Sequence, residues 1–136
     1  MQRLVECVPN ISEGRNRAVI DAVAGVVESV EGVRLLDVDP GKSTNRTVIT
    51  FVGPPETVGE AAFRLIKKAA ELIDMTKHRG EHPRMGATDV CPFVPVSGVT
   101  MEECAAIAHA VGERVGAELG IPGYFYESAA DRKSVV

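Results

Sequence analysis

The run Thr47-Val48-Ile49-Thr50-Phe51-Val52 is the clearest β-strand in the sequence, and the fold follows from the elements on either side of it. Every residue in this run is β-branched or aromatic, and such side chains pack well on a pleated sheet. The preceding Asp39-Pro40-Gly41-Lys42 has the composition of a turn. The following Pro54-Pro55 ends the strand and opens a helix, because proline is tolerated in the first helical turn.

Upstream of this strand the sequence predicts a strand, a helix and a second strand. Residues 4–9 are predicted as the first strand, residues 10–16 as a polar turn, and residues 33–37 as the second strand. Between them, apolar residues recur at helical spacing until Gly32, a residue type common at helix ends. The apolar positions of this helix are Val19, Ile20, Val23, Val26, Val27 and Val30.

Downstream, the predicted order is helix, strand, helix and short strand. Residues 90–96 form the fourth strand, and residues 124–126 a short last strand. Thr100 and Glu103 have the spacing of a capping box at the start of the third helix, which Gly120 ends. The apolar stripes are Val58, Ala62, Leu65, Ala69 and Leu72 on the second helix, and Ala108, Val111, Val115 and Leu119 on the third.

This order of elements predicts the α+β class and one domain that spans residues 1–136. The first six elements follow the ferredoxin-like split β-α-β pattern (βαββαβ), and a C-terminal helix and short strand extend it. That topology places the fourth strand at the sheet edge beside the first. Pro92 and Pro95 fit an edge position, because proline cannot donate a hydrogen bond to a neighbouring strand.

The central strand is apolar on both faces, which bears on partners. Val48 and Val52 point to one face, and Ile49 and Phe51 to the other. An antiparallel sheet with one solvated face alternates more strictly between apolar and polar residues. We therefore expect the second face to be covered by another domain or another copy of the chain. The alternative is that the third helix folds across it.

Composition and charge exclude several classes of protein. The net charge of -4 and the scarcity of aromatic residues (four Phe, two Tyr, no Trp) disfavour a nucleic-acid partner. Neither a signal peptide nor a membrane-spanning run is recognisable, so we expect no membrane partner and a cytoplasmic location. Cys7, Cys91 and Cys104 lack metal-ligand spacing and are predicted as reduced, buried thiols, with no metal site.

Residues 76–88 connect the second helix to the fourth strand and are rich in charge and glycine. Within them, His82 can exchange a proton near neutral pH, and Pro83 restricts its backbone. Arg84 offers a planar guanidinium for a carboxylate, and Gly86 permits close backbone approach to a ligand. Composition alone favours the ordinary interpretation, a solvated connection between two elements.

Two further stretches are candidates. The polar turn that contains Asn10, Ser12 and Glu13 leads into a helix, and helix N-termini attract anions. Helix capping by Ser12 or Asn16 is the simpler explanation. Asp39 lies two residues after Asp37, so both carboxylates project to one face of a strand and could hold an amine or an arginine; more often such a pair opens a turn.

Taken together, two long motifs resemble those of the formiminotransferase family. Glu6-Cys7-Val8-Pro9-Asn10-Ile11-Ser12-Glu13-Gly14-Arg15-Asn16 is similar to the opening signature of that family. His82-Pro83-Arg84-Met85-Gly86-Ala87-Thr88-Asp89-Val90-Cys91-Pro92-Phe93-Val94-Pro95-Val96 resembles its active-site segment. The similarity extends to about residue 130, and the tail that starts at Asp131 departs from the family pattern.

The resemblance implies a fold and an activity. The family transfers a formimino group from N-formimino-L-glutamate to tetrahydrofolate, the co-substrate, in histidine breakdown, and its N-terminal subdomain is ferredoxin-like. His82 would be the general base, and Arg84 would hold a substrate or folate carboxylate. The remaining candidates for substrate or folate binding are Asn10, Ser12, Glu13, Asp39, Met85 and Gly86.

The resemblance also implies a partner. Family members carry a second subdomain of similar fold that forms the other wall of the folate groove, and this sequence does not contain it. The chain is expected to be a standalone paralogue, one half of a split enzyme, or a truncated copy that has lost its activity. It would act with the missing C-terminal subdomain or as a homo-oligomer; the alternative is a non-catalytic folate-binding or assembly module.

Overall fold

A computed structural model of the protein describes residues 2–73 and 87–121. The strands in this part of the chain are β1 (Leu4–Cys7), β2 (Asn10–Ile11), β3 (Arg34–Gly41), β4 (Arg46–Gly53), β5 (Thr88–Val90) and β6 (Phe93–Ser97). The helices are α1 (Arg17–Gly25), which continues as a 3-10 turn (Val26–Ser29), α2 (Val58–Leu72) and α3 (Met101–Leu119). The protein is therefore of the α+β class, as predicted.

All six strands belong to one antiparallel sheet, with β4 at its centre. Phe51 of β4 pairs with Leu35 of β3 on one side and with Cys7 of β1 on the other. Further along the same side of β4, β2 continues where β1 ends. The outer side of β1 pairs with β6, and that of β2 pairs with β5. The predicted placement of the fourth strand beside the first is confirmed.

Two predicted strands are each interrupted once. Residues 4–9 were expected to form one strand, but β1 ends at Cys7 and the chain resumes pairing at Asn10. Residues 90–96 are likewise divided between β5 and β6. Each interruption contains a proline, Pro9 or Pro92, which cannot donate a hydrogen bond to a ladder. The two breaks face each other, since the N–H of Val8 donates to the carbonyl of Pro92 at 3.2 Å.

The second strand is longer than its sequence suggested. We expected Asp39-Pro40-Gly41-Lys42 to be a turn, but β3 runs to Gly41 and pairs with β4 from Arg34 to Gly41, with one irregularity between Leu35 and Asp37. Pro40 is tolerated there because β3 pairs with β4 along one side, which leaves the missing donor on the outer side of the strand. The turn lies at residues 42–45, where Asn45 adopts a positive φ of 55°.

The helices cover one face of the sheet. Ile49 and Phe51 of β4 and Phe93 of β6 are fully buried in a core that they share with all three helices. Gly59 of α2 lets α3 approach closely, since a Cβ there would lie 3.3 Å from Ile107. Because α3 packs beside α2 and against β6, the alternative in which it crosses the other face is wrong.

The ends of the helices correct or confirm several expectations. The first helix ends at Gly25 and tightens into the 3-10 turn, instead of continuing as one helix towards Gly32. Leu72 is 42% exposed, so the predicted stripe of α2 ends at Ala69. The capping box at Thr100 and the buried stripe of α3 are confirmed, and Gly120 ends α3 with a φ of 71°. The predicted strand at residues 124–126 lies outside the described residues. Within the described ranges, no helix is long and apolar enough to cross a membrane.

Candidate functional site

The face of the sheet opposite the helices is called the open face below. It brings together Asn10 and Asp39, two residues predicted to bind substrate or folate. In β4, Val48 pairs with Asn10 of β2 on one side and with Asp39 of β3 on the other. Adjacent strands are about 4.8 Å apart, so the backbones of Asn10 and Asp39 are separated by about 10 Å. Val48 and Asn10 are half-buried and Asp39 is exposed, so the side chains reach solvent. The structure thus unites two predicted binding residues that are far apart in the sequence.

A second row of the open face contains charged residues that the sequence reasoning did not assign to the site. Val52 of β4 pairs with Glu6 of β1 and with Arg34 of β3, and Glu6 also pairs with Val94 of β6. Asp37 pairs with Thr50 between the two rows. Alternation of side chains was an available signal for Glu6, which is an even number of residues from Asn10. Arg34 is an odd number of residues from Asp37 and reaches this face only through the register shift between Leu35 and Asp37. The strand registers place a valine-lined surface among three carboxylates and one guanidinium.

Ser12 lies at the end of β2 and is 7% exposed. Its backbone N–H donates to the carbonyl of Ala87 at 2.9 Å, which links the first motif to the residue just before β5. The structure therefore brings Ser12 next to the second motif, as the prediction of a shared site requires. Its low exposure makes it a part of the junction between the two segments.

Glu13 organises the turn before α1. Its Oε2 accepts hydrogen bonds from the backbone N–H groups of Arg15 at 3.0 Å and Asn16 at 2.9 Å. Asn16 in turn caps α1, since its Oδ1 accepts from the N–H of Val19 at 3.3 Å. The capping interpretation therefore holds for Asn16. The predicted role of Glu13 in ligand binding stays a prediction. Its carboxylate already accepts two hydrogen bonds within the turn.

The turn that carries Glu13 is pressed against the β3–β4 hairpin. The N–H of Gly14 donates to Oδ1 of Asn45 at 2.9 Å, and Nε of Arg15 donates to the carbonyl of Lys42 at 2.9 Å. A Cβ at Gly14 would lie only 2.4 Å from the carbonyl oxygen of Gly41, so the two backbones touch. This contact holds the strand with Asp39 in a defined position relative to the segment with Asn10.

The second motif enters the sheet at β5. Val90 pairs with Asn10, so the two motifs are direct hydrogen-bonded neighbours. Asp89 forms an ion pair with Arg46 at the start of β4, which joins β5 to the central strand across the end of β2. Thr88 is 3% exposed, and its hydroxyl is buried without a hydrogen-bond partner among the residues that the structure describes.

His82, Arg84, Met85 and Gly86 lie outside the described residues, and so does the segment around them. The residues that border this segment are described: Ile73 follows α2 and is 3% exposed, and Ala87 precedes β5 and is 1% exposed. Both are anchored in the core. Ala87 directly precedes the strand that pairs with the one carrying Asn10.

The described groups with a shifted pKa lie away from the open face. Burial raises the pKa of Cys7 well above its ordinary value and also raises that of Cys104. Hydrogen bonds from Arg114 and Arg64 lower the pKa of the Glu60 carboxyl on α2. Within residues 2–73 and 87–121, no three His, Cys, Asp or Glu side chains are grouped so as to hold a metal ion.

Comparison with known proteins agrees with the two motifs. Residues 4–135 match the family described as formiminotransferase domain, N-terminal subdomain. The chain is 58% identical over 130 residues to formimidoyltransferase-cyclodeaminase from Dictyostelium discoideum, a match that covers 96% of this chain and 24% of that protein.

Shorter relatives match as well. The chain is 55% identical over 132 residues to glutamate formimidoyltransferase from Streptococcus pyogenes, covering 97% of this chain and 44% of that one. The corresponding protein from Thermoplasma acidophilum is 54% identical over 129 residues, covering 95% of this chain and 43% of that one. The chain therefore spans less than half the length of these relatives.

Proposed function

The chain belongs to the formiminotransferase family, as its N-terminal subdomain, and on that premise we propose that it supplies the catalytic histidine of a glutamate formimidoyltransferase. The reaction would move a formimino group from N-formimino-L-glutamate to N5 of tetrahydrofolate. The observation that carries the proposal is the pairing of Asn10 with Val90, which makes the two family motifs adjacent strands. A ligand that contacts one motif is thereby within reach of the other.

His82 is the proposed acid–base catalyst. The N5 amine attacks the amidine carbon and must lose a proton, whereas the glutamate nitrogen must gain one before it leaves. A neutral imidazole within hydrogen-bond reach can serve both steps, and such catalysis typically contributes ~10²–10⁴-fold in rate. Arg84 is proposed to hold a carboxylate of the substrate or of folate, since a guanidinium binds carboxylates in a bidentate manner.

The open face is the proposed floor of the folate and substrate site. Asn10 and Asp39 flank the exposed edge of Val48, which offers hydrogen-bonding groups beside an apolar surface suited to a flat ring. Ser12, Glu13, Met85 and Gly86 complete the proposed set around the two motifs. No metal is proposed, and tetrahydrofolate takes part as a co-substrate.

The proposed topology is ferredoxin-like. If β1 with β2, and β5 with β6, are each treated as one interrupted strand, the strand order is fourth, first, third, second, and all neighbours are antiparallel. This order and the helices on one face support the split β-α-β pattern. The proposed partner is a second subdomain, or another copy of the chain, that covers the half-buried valines of the open face. The proposed compartment is the cytoplasm.

The proposal is tested by kinetics with the C-terminal subdomain of a relative supplied as a second polypeptide. His82→Ala is expected to lower kcat by about 10²–10⁴-fold. The matched control is His109→Ala, because the His109 side chain is 77% exposed on α3, on the helical side of the sheet. Equal loss of activity in both variants, or none in either, would remove His82 from the mechanism.

The second candidate is a non-catalytic folate-binding or assembly module that would use the open face of the sheet. Titration of the purified chain with a folate analogue separates the two functions when it is combined with the activity assay. Saturable binding that Asn10→Ala weakens, without turnover after the second subdomain is added, would identify the module. Turnover that depends on both polypeptides would identify a split enzyme.

A further inference from the structure

Two cysteines from opposite ends of the domain touch in its core. The Sγ atoms of Cys7 and Cys91 are 3.4 Å apart, although 84 residues separate them in the sequence. Both residues are fully buried and both are free thiols. Cys7 ends β1, and Cys91 lies between β5 and β6. The contact therefore joins the first family motif to the second, and the function proposed above makes no use of it.

The position of this contact allows the sulfurs to come closer. Cys91 lies in the break between β5 and β6, so its backbone is less constrained than within a ladder, whereas Cys7 is held at the end of β1 between Phe51 and Phe93. A rotation of roughly 20–30° about each Cα–Cβ bond moves a sulfur by about 0.7 Å. Two such rotations towards each other would reduce the 3.4 Å contact to the ~2.05 Å of a disulfide.

We propose that Cys7 and Cys91 are an oxidation site at which hydrogen peroxide forms an intramolecular disulfide. One sulfur attacks the peroxide, the O–O bond breaks, and a sulfenic acid and one water molecule form. The second sulfur attacks the sulfenic sulfur, the S–S bond forms, and a second water molecule leaves. Two thiols thus lose two electrons and two protons to one peroxide. The third cysteine, Cys104, stays a thiol.

The surroundings of the pair determine which oxidant acts and how fast. Because neither side chain is exposed, only a small oxidant can enter during local opening, which favours hydrogen peroxide over bulky disulfides. Burial, followed by the neighbouring Cys91 sulfur, raises the pKa of the Cys7 thiol well above its ordinary value. The thiolate is the reactive form, so oxidation is slow at neutral pH and faster at alkaline pH.

The test uses the whole wild-type chain. The folded protein is treated with hydrogen peroxide, quenched, unfolded, labelled with a maleimide, and examined by intact mass and peptide mapping. The expected product loses two hydrogen atoms, takes up one label in place of the three of the untreated protein, and contains the Cys7–Cys91 cross-linked peptide. Cys104→Ala is expected to give the same cross-link with no label.

A second arm shows that the native contact directs the reaction. In denaturant, loop closure favours the pair that is closer in sequence, so the main product should link Cys91 to Cys104. Three labels after treatment of the folded chain, a sulfinic acid without a cross-link, a dimer joined through cysteine, or the Cys91–Cys104 link from folded protein would each overturn the proposal. The outcome does not depend on folate or on transferase activity.

Discussion

The backbone N–H of Gly14 donates a 2.9 Å hydrogen bond to Oδ1 of Asn45, and this bond joins the turn after β2 to the hairpin between β3 and β4. On one side of it lies the segment that carries Asn10, and on the other the strand that carries Asp39. The two residues face each other across β4 because this junction is closely packed. Its stability therefore bears directly on the geometry of the open face.

Gly14→Ala should strongly destabilise the protein. The new Cβ would lie 2.4 Å from the Gly41 carbonyl oxygen and 2.6 Å from the Arg46 nitrogen, so the backbone would have to shift. We expect a loss of about 3 kcal/mol or more in the free energy of unfolding, measured by urea denaturation. Gly25→Ala is the control: no atom of the described part of the chain lies within 4 Å of its new Cβ, and its φ is -66°. It should stabilise by about 0.5–1 kcal/mol, and equal effects of the two variants would contradict the packing argument.

Asn45 contributes both an acceptor and a left-handed backbone, and two substitutions separate them. Asn45→Gly keeps the φ of 55° without strain and loses the hydrogen bond to Gly14, at a cost of about 1 kcal/mol. Asn45→Ala loses the bond and also strains the backbone, at a further cost of about 1 kcal/mol. Thermal or urea unfolding should therefore rank Ala below Gly. The reverse order would mean that the positive φ is not retained.

Thr88→Val should leave the protein as stable as the wild type or stabilise it by up to about 1 kcal/mol. Within residues 2–73 and 87–121 the buried Thr88 hydroxyl has no hydrogen-bond partner, and valine has nearly the same shape without the desolvated oxygen. Thr47→Val is the matched control, because Thr47 is fully buried, pairs with the same Ile11 and donates from its hydroxyl to the Glu13 carbonyl. Loss of this hydrogen bond in Thr47→Val should lower the free energy of unfolding by about 1–2 kcal/mol. Destabilisation by Thr88→Val of similar size would indicate a bound water or ligand at that hydroxyl.

Glu60 makes stability depend on pH in the acid range. It accepts a hydrogen bond from Arg114, whose guanidinium stacks 3.8 Å from the Phe63 ring centroid, and another from Arg64 at 2.8 Å. These bonds lower the pKa of Glu60 from 4.5, so the folded state favours the charged carboxylate. The resulting stabilisation is present above pH 4.5 and is lost as the pH falls through the lower pKa of the folded state.

Glu60→Gln tests this dependence. The variant should be less stable than the wild type at pH 7, and the difference should shrink when both are unfolded by urea near pH 3. Glutamine keeps the shape and hydrogen-bonding oxygen but not the charge. A difference of the same size at both pH values would show that the charge on Glu60 does not link α2 to α3.

Much of the architecture follows from local sequence pattern. The β-branched run at residues 47–52 predicted the central strand, and the spacing from Ala108 to Leu119 predicted the buried side of α3. Thr100 and Glu103 predicted the start of that helix, because a capping box involves residues only three positions apart. Pro92 and Pro95 predicted an edge strand from local sequence as well, because a proline has no backbone N–H to donate to a neighbouring strand.

Other features depend on residues that are distant in sequence. The breaks at Pro9 and Pro92 align only because β1 and β6 pair in one register, and the turn after β2 is held by hydrogen bonds to Lys42 and Asn45 of the β3–β4 hairpin. The alternative in which the third helix covers the open face is wrong, because the choice of face depends on packing against α2. No local pattern encodes such a choice.

The sequence by itself therefore determined the order of the described strands and helices and the family. Only the tertiary structure decided which residues meet: Asn10 and Asp39 across Val48, and Cys7 with Cys91 in the core. The physical reason is the range of the forces. Periodicity, capping and proline geometry act over a few residues, whereas register and burial are set by the close packing of segments that are far apart in the chain.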